Sequence, residues 1–153
     1  MKRFFILLTL LCALTGASMA QNALNNKAEN IVGTYQSKQG EDNFKATITQ
    51  QKDGTFTGKI IWVEHDKDAN GKKFLDEKNP DKKLRNVPCD QIVLFSGLKY
   101  DAGEKCWNGT KIYDPQRGIK AKLTAEFNEK GQLKIRGTIL GFGETVYWNK
   151  IKQ

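Results

Sequence analysis

The segment from residue 66 to residue 77 carries the spacing of an EF-hand calcium loop. Such a loop needs oxygen ligands at its first, third, fifth and twelfth positions, and a glycine at the sixth, where the chain turns sharply. In this chain the four ligand positions hold Asp66, Asp68, Asn70 and Glu77. Three lysines in the same segment offset the negative charge that a divalent ion requires, and the residues before it resemble a strand rather than a helix. We therefore keep two interpretations, a calcium site and an Asp/Asn/Gly-rich surface turn, and the lysines favour the turn.

The other residues with catalytic side chains are isolated in the sequence. His65 is the only histidine, and neither a nucleophile motif nor a metal-ligand spacing accompanies it. Asp81 and Asp114 are carboxylates of the type that hydrolases use, but no pair or triad is visible around them. A catalytic function is therefore the least favoured interpretation, and we predict no catalytic residue.

The first twenty residues predict export. Lys2 and Arg3 precede an apolar run over residues 4–14, which is too short to span a bilayer. A small-x-small motif ends at Ala20, where a signal peptidase would cut. We therefore expect a signal peptide over residues 1–20 and a mature protein that is periplasmic or secreted.

Composition and charge limit the partners. The formal charge is +8, and it falls to +6 without Lys2 and Arg3, because residues 1–20 contain no acid. The lysines are scattered rather than clustered, and no nucleic-acid-binding motif is present, so nucleic acid is not an expected partner. No segment after residue 20 is apolar enough to cross a membrane. No cofactor is expected apart from the calcium alternative, and the sequence leaves the oligomeric state open.

Two cysteines remain after residue 20, Cys89 and Cys106. An even number of cysteines in an oxidising compartment predicts a disulfide. Two buried thiols are the alternative.

The pattern from Ile31 onward is almost entirely that of strands. Apolar and polar residues alternate over residues 44–48, 121–127 and 133–139, as in strands with one buried face. About eight such strands joined mostly by short turns predict an all-β domain, an up-and-down antiparallel barrel over residues 31–153. The polar, Asn-rich residues 21–30 are expected to form a flexible leader.

Two further features bear on function. The long polar segment 65–88 breaks the strand rhythm, and loops of that length are often functional. We expect it near one end of the barrel. Inside the barrel, aromatic side chains are candidates to line a ligand cavity, and a loop arginine is a candidate to contact an anionic group. These candidates are Phe56, Trp62, Phe127, Trp148 and Arg85.

Three motifs occur in a fixed order along the chain. The first is Asn79-Pro80-Asp81 followed by Arg85. The second consists of Trp107, Gly109, Ile112, Tyr113, Asp114, Pro115 and Gly118. The third joins residues 133–137 to the Trp148–Lys150 block. Over roughly residues 31–151 this order resembles the bacterial secreted family known as domain of unknown function 2147.

The resemblance implies a lipocalin-like, calycin-type barrel, with no established reaction. Lipocalins open with G-x-W, where this chain has Tyr35, and close with an arginine, where it has Lys150. A cation–π contact between these two side chains would close one end of the barrel.

The favoured function is therefore non-catalytic binding of a small, partly apolar ligand inside the barrel. The alternative is a protein-interaction module, such as an inhibitor or envelope component, with a packed barrel and loop-mediated contacts.

Overall fold

The computed structural model describes residues 22–39 and 42–151, which form nine antiparallel strands. The strands are β1 (Gly33–Gln39), β2 (Asp42–Gln50), β3 (Phe56–Val63), β4 (Val93–Asp101), β5 (Cys106–Asn108), β6 (Lys111–Asp114), β7 (Ile119–Phe127), β8 (Leu133–Ile139) and β9 (Phe142–Lys150). The helices in this part of the chain are four short 3-10 turns, and none is long and apolar enough to cross a membrane. The expected signal peptide and its cleavage site lie outside the described residues.

The sheet closes into a barrel, as the strand pattern predicts. Each strand pairs with its neighbour in the order β5-β4-β3-β2-β1-β9-β8-β7-β6, and β5 also pairs with β7 through Trp107 and Ala125. The short strands β5 and β6 share one position, interrupted at Gly109, whose φ is +88°. The result is a closed eight-stranded antiparallel barrel.

One end of the barrel is closed by residues 22–31, which include most of the predicted flexible leader, residues 21–30. They instead form two 3-10 turns, Ala23–Asn26 and Ala28–Ile31. The buried Asn25 side chain donates to the Phe127 carbonyl (3.0 Å) and accepts from the Phe127 backbone N–H (2.7 Å). The polar Asn25 side chain therefore makes buried hydrogen bonds instead of contacting solvent. It gives the Phe127 backbone the hydrogen-bond partners that a neighbouring strand would otherwise provide.

The predicted contact between Tyr35 and Lys150 is confirmed at this closed end. The Lys150 ammonium lies 5.7 Å from the centroid of the Tyr35 ring and donates to the Asn30 carbonyl (3.0 Å). The Tyr35 hydroxyl donates to the Ile31 carbonyl (2.8 Å). Partial burial lowers the pKa of Lys150, since it removes water from the ammonium.

The two cysteines do not form the predicted disulfide. Cys89 begins the 3-10 turn Cys89–Gln91, just before β4 enters the barrel, and Cys106 begins β5 beyond the far end of β4. Both are free thiols and are not within disulfide distance. Burial raises the pKa of each thiol. The alternative of two buried thiols holds for Cys106, which is buried, whereas Cys89 is a partly buried free thiol.

The long segment 65–88 folds onto the other end of the barrel, the mouth. Antiparallel backbone bridges join Lys67 to Lys73 and Leu75 to Pro88, so the segment reverses direction twice and forms a compact loop. Cys89, directly after the segment, donates its N–H to the Phe74 carbonyl (2.9 Å), which ties the end of the segment to its middle. We call this segment the mouth loop.

Candidate functional site

A cavity of about 470 Å³ occupies the mouth half of the barrel. Most residues of the cavity wall are apolar, and only a few contribute polar groups. The apolar lining consists of Phe44, Leu94, Ile112, Ile119, Ala121, Ile135, Gly137, Ile139, Phe142, Gly143, Val146 and Trp148. The polar lining consists of Ser37, Tyr113, Asp114, Arg117 and Glu144. An apolar chamber with a few polar groups has the character of a small-molecule site.

Small inward-facing residues leave this space unfilled. Ala121 on β7 and Gly137 on β8 lie side by side on the lumen wall, and a Cβ at Gly137 would lie 3.1 Å from that of Ala121. In contrast, the space above Gly58 on β3 is taken by the Phe95 ring. The closed half of the lumen is filled by aromatic packing, with Trp107 and Phe127 in edge contact at 5.7 Å. The barrel is therefore packed at one end and hollow at the other.

Trp148 forms the boundary between the packed and hollow halves. Its ring lies 5.8 Å from Phe44 in an edge-on contact and 6.2 Å from Tyr35. The side chain is 1% exposed, and its indole Nε1 has no hydrogen-bond partner among the described residues. A buried N–H without an acceptor is uncommon in proteins and costs free energy.

The rim of the cavity holds an arginine between two carboxylates. Arg117 Nε donates to Asp114 (2.6 Å), and its two terminal nitrogens donate to Glu144 (3.0 and 2.5 Å). These bonds tie the turn after β6 to the start of β9. Arg117 lowers the pKa of Glu144, and the two carboxylates raise the pKa of Arg117. The rim is thus fully ion-paired and carries no surplus positive charge.

The mouth loop is fastened to the barrel by a buried hydrogen-bond network. The Tyr113 hydroxyl on β6 donates to Asp76 Oδ1 (2.6 Å), and Asn79 Nδ2 donates to Asp76 Oδ2 (2.7 Å). All three side chains are at most 4% exposed. Burial and the bond to Asp76 raise the pKa of Tyr113. The carboxylate therefore serves as a structural acceptor that joins loop and strand.

The same junction brings together two of the sequence motifs. The Lys78 ammonium donates to the Gln116 carbonyl (2.6 Å), and the turn around Gly118 lies directly against the Lys78 backbone. Gly118 has a φ of +68°, and a Cβ there would lie 2.4 Å from the Lys78 carbonyl oxygen. The glycine is thus required both by the turn and by the close approach.

A second cavity of about 280 Å³ lies between the mouth loop and the barrel. Phe44 lines both cavities, so its ring separates them. The loop contributes His65, Phe74, Leu75 and Asp76 to this smaller space. Together the two cavities make the mouth end the concave, apolar region of the molecule.

Among the predicted ligand contacts, only Trp148 lines the main cavity. Phe56 and Phe127 are buried in the core and line neither cavity. Trp62 lies on the outer face, contrary to the expectation, because a β-bulge leaves Ile61 unpaired and reverses the alternation after it. The Lys45 ammonium stacks over its ring at 5.0 Å. Arg85 is exposed on the mouth loop, where its Nε donates to the Asn79 carbonyl (2.8 Å).

The predicted calcium ligands do not converge. Asp66 faces the Lys73 ammonium (3.6 Å), and Asp68 Oδ1 accepts from the backbone N–H groups of Asn70 and Lys72, each at 2.9 Å. No group of three or more His, Cys, Asp or Glu side chains is placed to hold a metal within residues 22–39 and 42–151. A lysine at the centre of the segment does not fit a divalent cation. The geometry is that of the alternative, a surface turn closed by Asp68.

The carboxylates considered for catalysis also have structural partners. Asp81 caps the start of the 3-10 turn Lys82–Leu84, because its Oδ1 accepts a hydrogen bond from the Lys83 N–H. Asp114 is bound to Arg117, and Arg117 lowers the pKa of Glu144, which is the opposite of the raised pKa that a general acid needs. His65 is exposed at the edge of the smaller cavity.

Several residues of the mouth are not recognisable from the sequence. Asp76, Arg117 and Glu144 gave no signal alone, because a single acid or base on a loop is normally a solvated surface group. The order of the motifs was an available signal, since the residues around Asn79 and those around Tyr113 meet in the structure. Long-range pairing of this kind becomes visible only once the barrel brings the mouth loop over β6.

Comparison with known proteins gives a family and one structural relative. The model of a family described as "Uncharacterized protein conserved in bacteria (DUF2147)" matches residues 33–150. A solved structure described as "Protein HP1028 from the human pathogen Helicobacter pylori belongs to the lipocalin family" is similar, with 25% sequence identity and a TM-score of 0.63. The match covers 80% of this chain and 83% of that one. No curated protein matches the chain.

Proposed function

Because the chain belongs to the DUF2147 family of uncharacterised bacterial proteins, we propose that it is a non-catalytic binding protein for a small, partly apolar ligand. The observation that carries the proposal is the cavity of about 470 Å³ in the mouth half of a lipocalin-like barrel. A barrel of eight strands has room for one small ligand when its side chains leave the lumen unfilled.

The lining indicates how such a ligand would lie. Its apolar part would contact Ile112, Ile135 and Val146, deep in the mouth half. Its polar end would remain near the rim, where Arg117 and Glu144 offer hydrogen bonds without net positive charge. An anionic head is therefore less favoured than a neutral polar one, and Arg85, which lines neither cavity, is not needed for binding.

We also propose that the protein works outside the cytoplasm. The support is the sequence of residues 1–20, with two cations before an apolar run and a small-x-small motif. The mature chain would then begin close to the two 3-10 turns that close the barrel.

The binding proposal is tested by blocking the lumen from one strand. Ala121→Phe places a ring into the cavity, whereas Thr124→Phe adds the same ring to the opposite, outer face of β7. We expect a neutral phenylnaphthylamine dye to bind the unaltered protein saturably, with fluorescence enhancement. The Ala121 variant should lose at least about tenfold in affinity, the order expected when one apolar contact surface is removed. The Thr124 variant should bind as the unaltered protein does. Equal binding by both variants, or no saturable binding at all, would contradict the proposal.

A further inference from the structure

The hairpin between β8 and β9 ends in an exposed apolar tip at the cavity mouth. Leu140 is 93% exposed and Phe142 is 83% exposed, the two highest values among the large apolar side chains described. Ile139 and Phe142 also line the cavity rim. Exposing these side chains to water is unfavourable, and a contiguous exposed patch of this kind marks an interaction surface.

The backbone conformation of the tip is unfavourable for a leucine at position 140. Ile139 pairs with Phe142, so Leu140 and Gly141 are the two central residues of the turn, with φ values of +49° and +85°. Hairpin turns of this type favour asparagine, aspartate or glycine, because both central residues need positive φ. A leucine here strains the backbone and exposes an apolar side chain, so neither folding nor hydration accounts for it.

Cations lie on the outer barrel face beside the tip. Arg136 lies across Gly143, where an added Cβ would be 2.5 Å from its guanidinium, and so it stands next to Phe142. On the neighbouring strand, Lys120 and Lys122 point outward, and Lys122 pairs directly opposite Lys111. None of these three lysines makes a salt bridge with another described residue. Like charges opposite each other in a sheet are destabilising, so this arrangement also points to an external anion.

The acids nearest the tip do not cancel this charge. Asp114 and Glu144 are both bound to Arg117, and Glu126 pairs with Lys134 farther along the barrel. Apolar side chains that project beside a cluster of cations form an arrangement that binds an interfacial membrane surface.

We propose that the β8–β9 tip docks the barrel mouth onto an anionic lipid membrane. Leu140 and Phe142 enter the acyl boundary, and Lys120, Lys122 and Arg136 contact lipid phosphates. The cavity then opens toward the bilayer, so an apolar ligand would pass between the two without crossing water. This last consequence rests on the proposed binding function, whereas docking itself does not.

The test is co-sedimentation with vesicles. All variants are expressed in the natural host and purified with the N-terminus that results there, so the N-terminal residues are the same in every variant. Vesicles of phosphatidylglycerol and phosphatidylcholine in equal parts are compared with vesicles of phosphatidylcholine alone. We expect binding to the anionic vesicles, weak binding to the neutral ones, and release at about 1 M NaCl, where charges are screened beyond about 3 Å.

Leu140→Asn is the decisive variant, because asparagine suits the positive φ and the fold should be at least as stable. It should lower partitioning into anionic vesicles by about tenfold, the order for withdrawing one leucine from an apolar phase. Ile61→Asn removes an apolar side chain of 45% exposure from β3, across the barrel, and should leave partitioning unchanged.

Charge reversal tests the cations separately. Lys120→Glu with Lys122→Glu should weaken binding by at least tenfold, since each surface cation contributes on the order of fivefold. Lys122→Glu alone is compared with Lys59→Glu, a single charge reversal on β3 across the barrel, as the matched control. Vesicle binding that Leu140→Asn leaves unchanged would overturn docking by the tip. Failure of the unaltered protein to bind anionic vesicles would do the same. Dye binding in solution is measured on the same Leu140 variant. Dye binding reports on the cavity and vesicle binding reports on docking, so the failure of either proposal can be distinguished from the failure of the other.

Discussion

Two small residues on neighbouring strands leave the mouth half of this barrel hollow. Ala121 and Gly137 face the lumen where larger side chains would fill it, and the cavity lies above them. Gly58 is equally small, yet the Phe95 ring occupies the adjacent volume. The function of a small residue therefore depends on what its cross-strand neighbour contributes. Alternation in the sequence identifies the inward face but not that neighbour.

The rim ion pair predicts a pH dependence at Glu144. Arg117 lowers the pKa of this carboxyl, so the folded protein holds the charged form more strongly than the unfolded chain does. The stabilisation is present above the unfolded pKa and is lost as the pH falls through the lowered folded pKa. In an NMR titration, Glu144 should change protonation at a lower pH than in an Arg117→Gln variant. Identical midpoints would show that the rim pair does not form in solution.

Single residues also show where sequence reasoning fails. Strict alternation along β3 placed Trp62 inside with Phe56, but one extra residue at Ile61 reverses every side chain that follows. Nothing local in the sequence signals the bulge, because Ile61 and Trp62 are both good strand residues. Trp148 lines the main cavity, on strand β9, which pairs with β8 without a bulge.

At the scale of elements, the mouth loop behaves as a fastened part of the barrel. Its polar, irregular composition indicated a loop of functional length, and the structure adds a buried anchor at Asp76. Two motifs far apart in the sequence meet there, on the mouth loop and at the end of β6. The resemblance to the family rested largely on these motifs, and their meeting gives them a structural reason.

Tyr113→Phe should loosen the mouth loop. The change removes the hydroxyl that donates to Asp76 and leaves a buried carboxylate oxygen without that donor, at a cost of about 1–3 kcal/mol. Limited trypsin digestion should then cleave the lysine-rich loop faster, and the Tm should fall. Tyr147→Phe, on a side chain that is 48% exposed, is the control. Equal cleavage rates for all three proteins would mean that the loop is held by other contacts.

The N-terminal turns show the opposite outcome for a polar segment. Asparagine-rich composition predicted a flexible leader, but Asn25 and Asn30 use their side chains and carbonyls to cover the closed end. Asparagine forms local backbone-like hydrogen bonds as readily as it is solvated. Composition alone therefore cannot distinguish a segment that covers the barrel end from a flexible linker. The alternation of apolar and polar residues, in contrast, predicted the barrel itself.

At the scale of the whole molecule, the fold is held without a covalent link between Cys89 and Cys106. The even number of cysteines after residue 20 suggested a bridge, but the barrel separates Cys89 and Cys106 along the length of β4. Spacing in sequence carries no information on which strands end at which rim. Only the closed topology shows that the two thiols belong to different ends.

Reducing agent should therefore leave the stability of the folded protein unchanged. We expect the same Tm with and without dithiothreitol, and the same intact mass before and after reduction. Both thiols should react with a thiol reagent only slowly in the folded state, because burial raises their pKa. A clear fall in Tm on reduction would show that the oxidised protein adopts an arrangement with the two cysteines in contact.

The proposed binding function requires that the mouth half of the barrel holds a small ligand. The most direct test is the mass of the native protein by non-denaturing electrospray, measured on the unaltered chain and on Ala121→Phe, both purified from the natural host. We predict an additional organic mass on the unaltered protein that disappears on denaturation and is missing from the variant. The same non-covalent mass on both proteins, or none on either, would contradict ligand binding in the barrel.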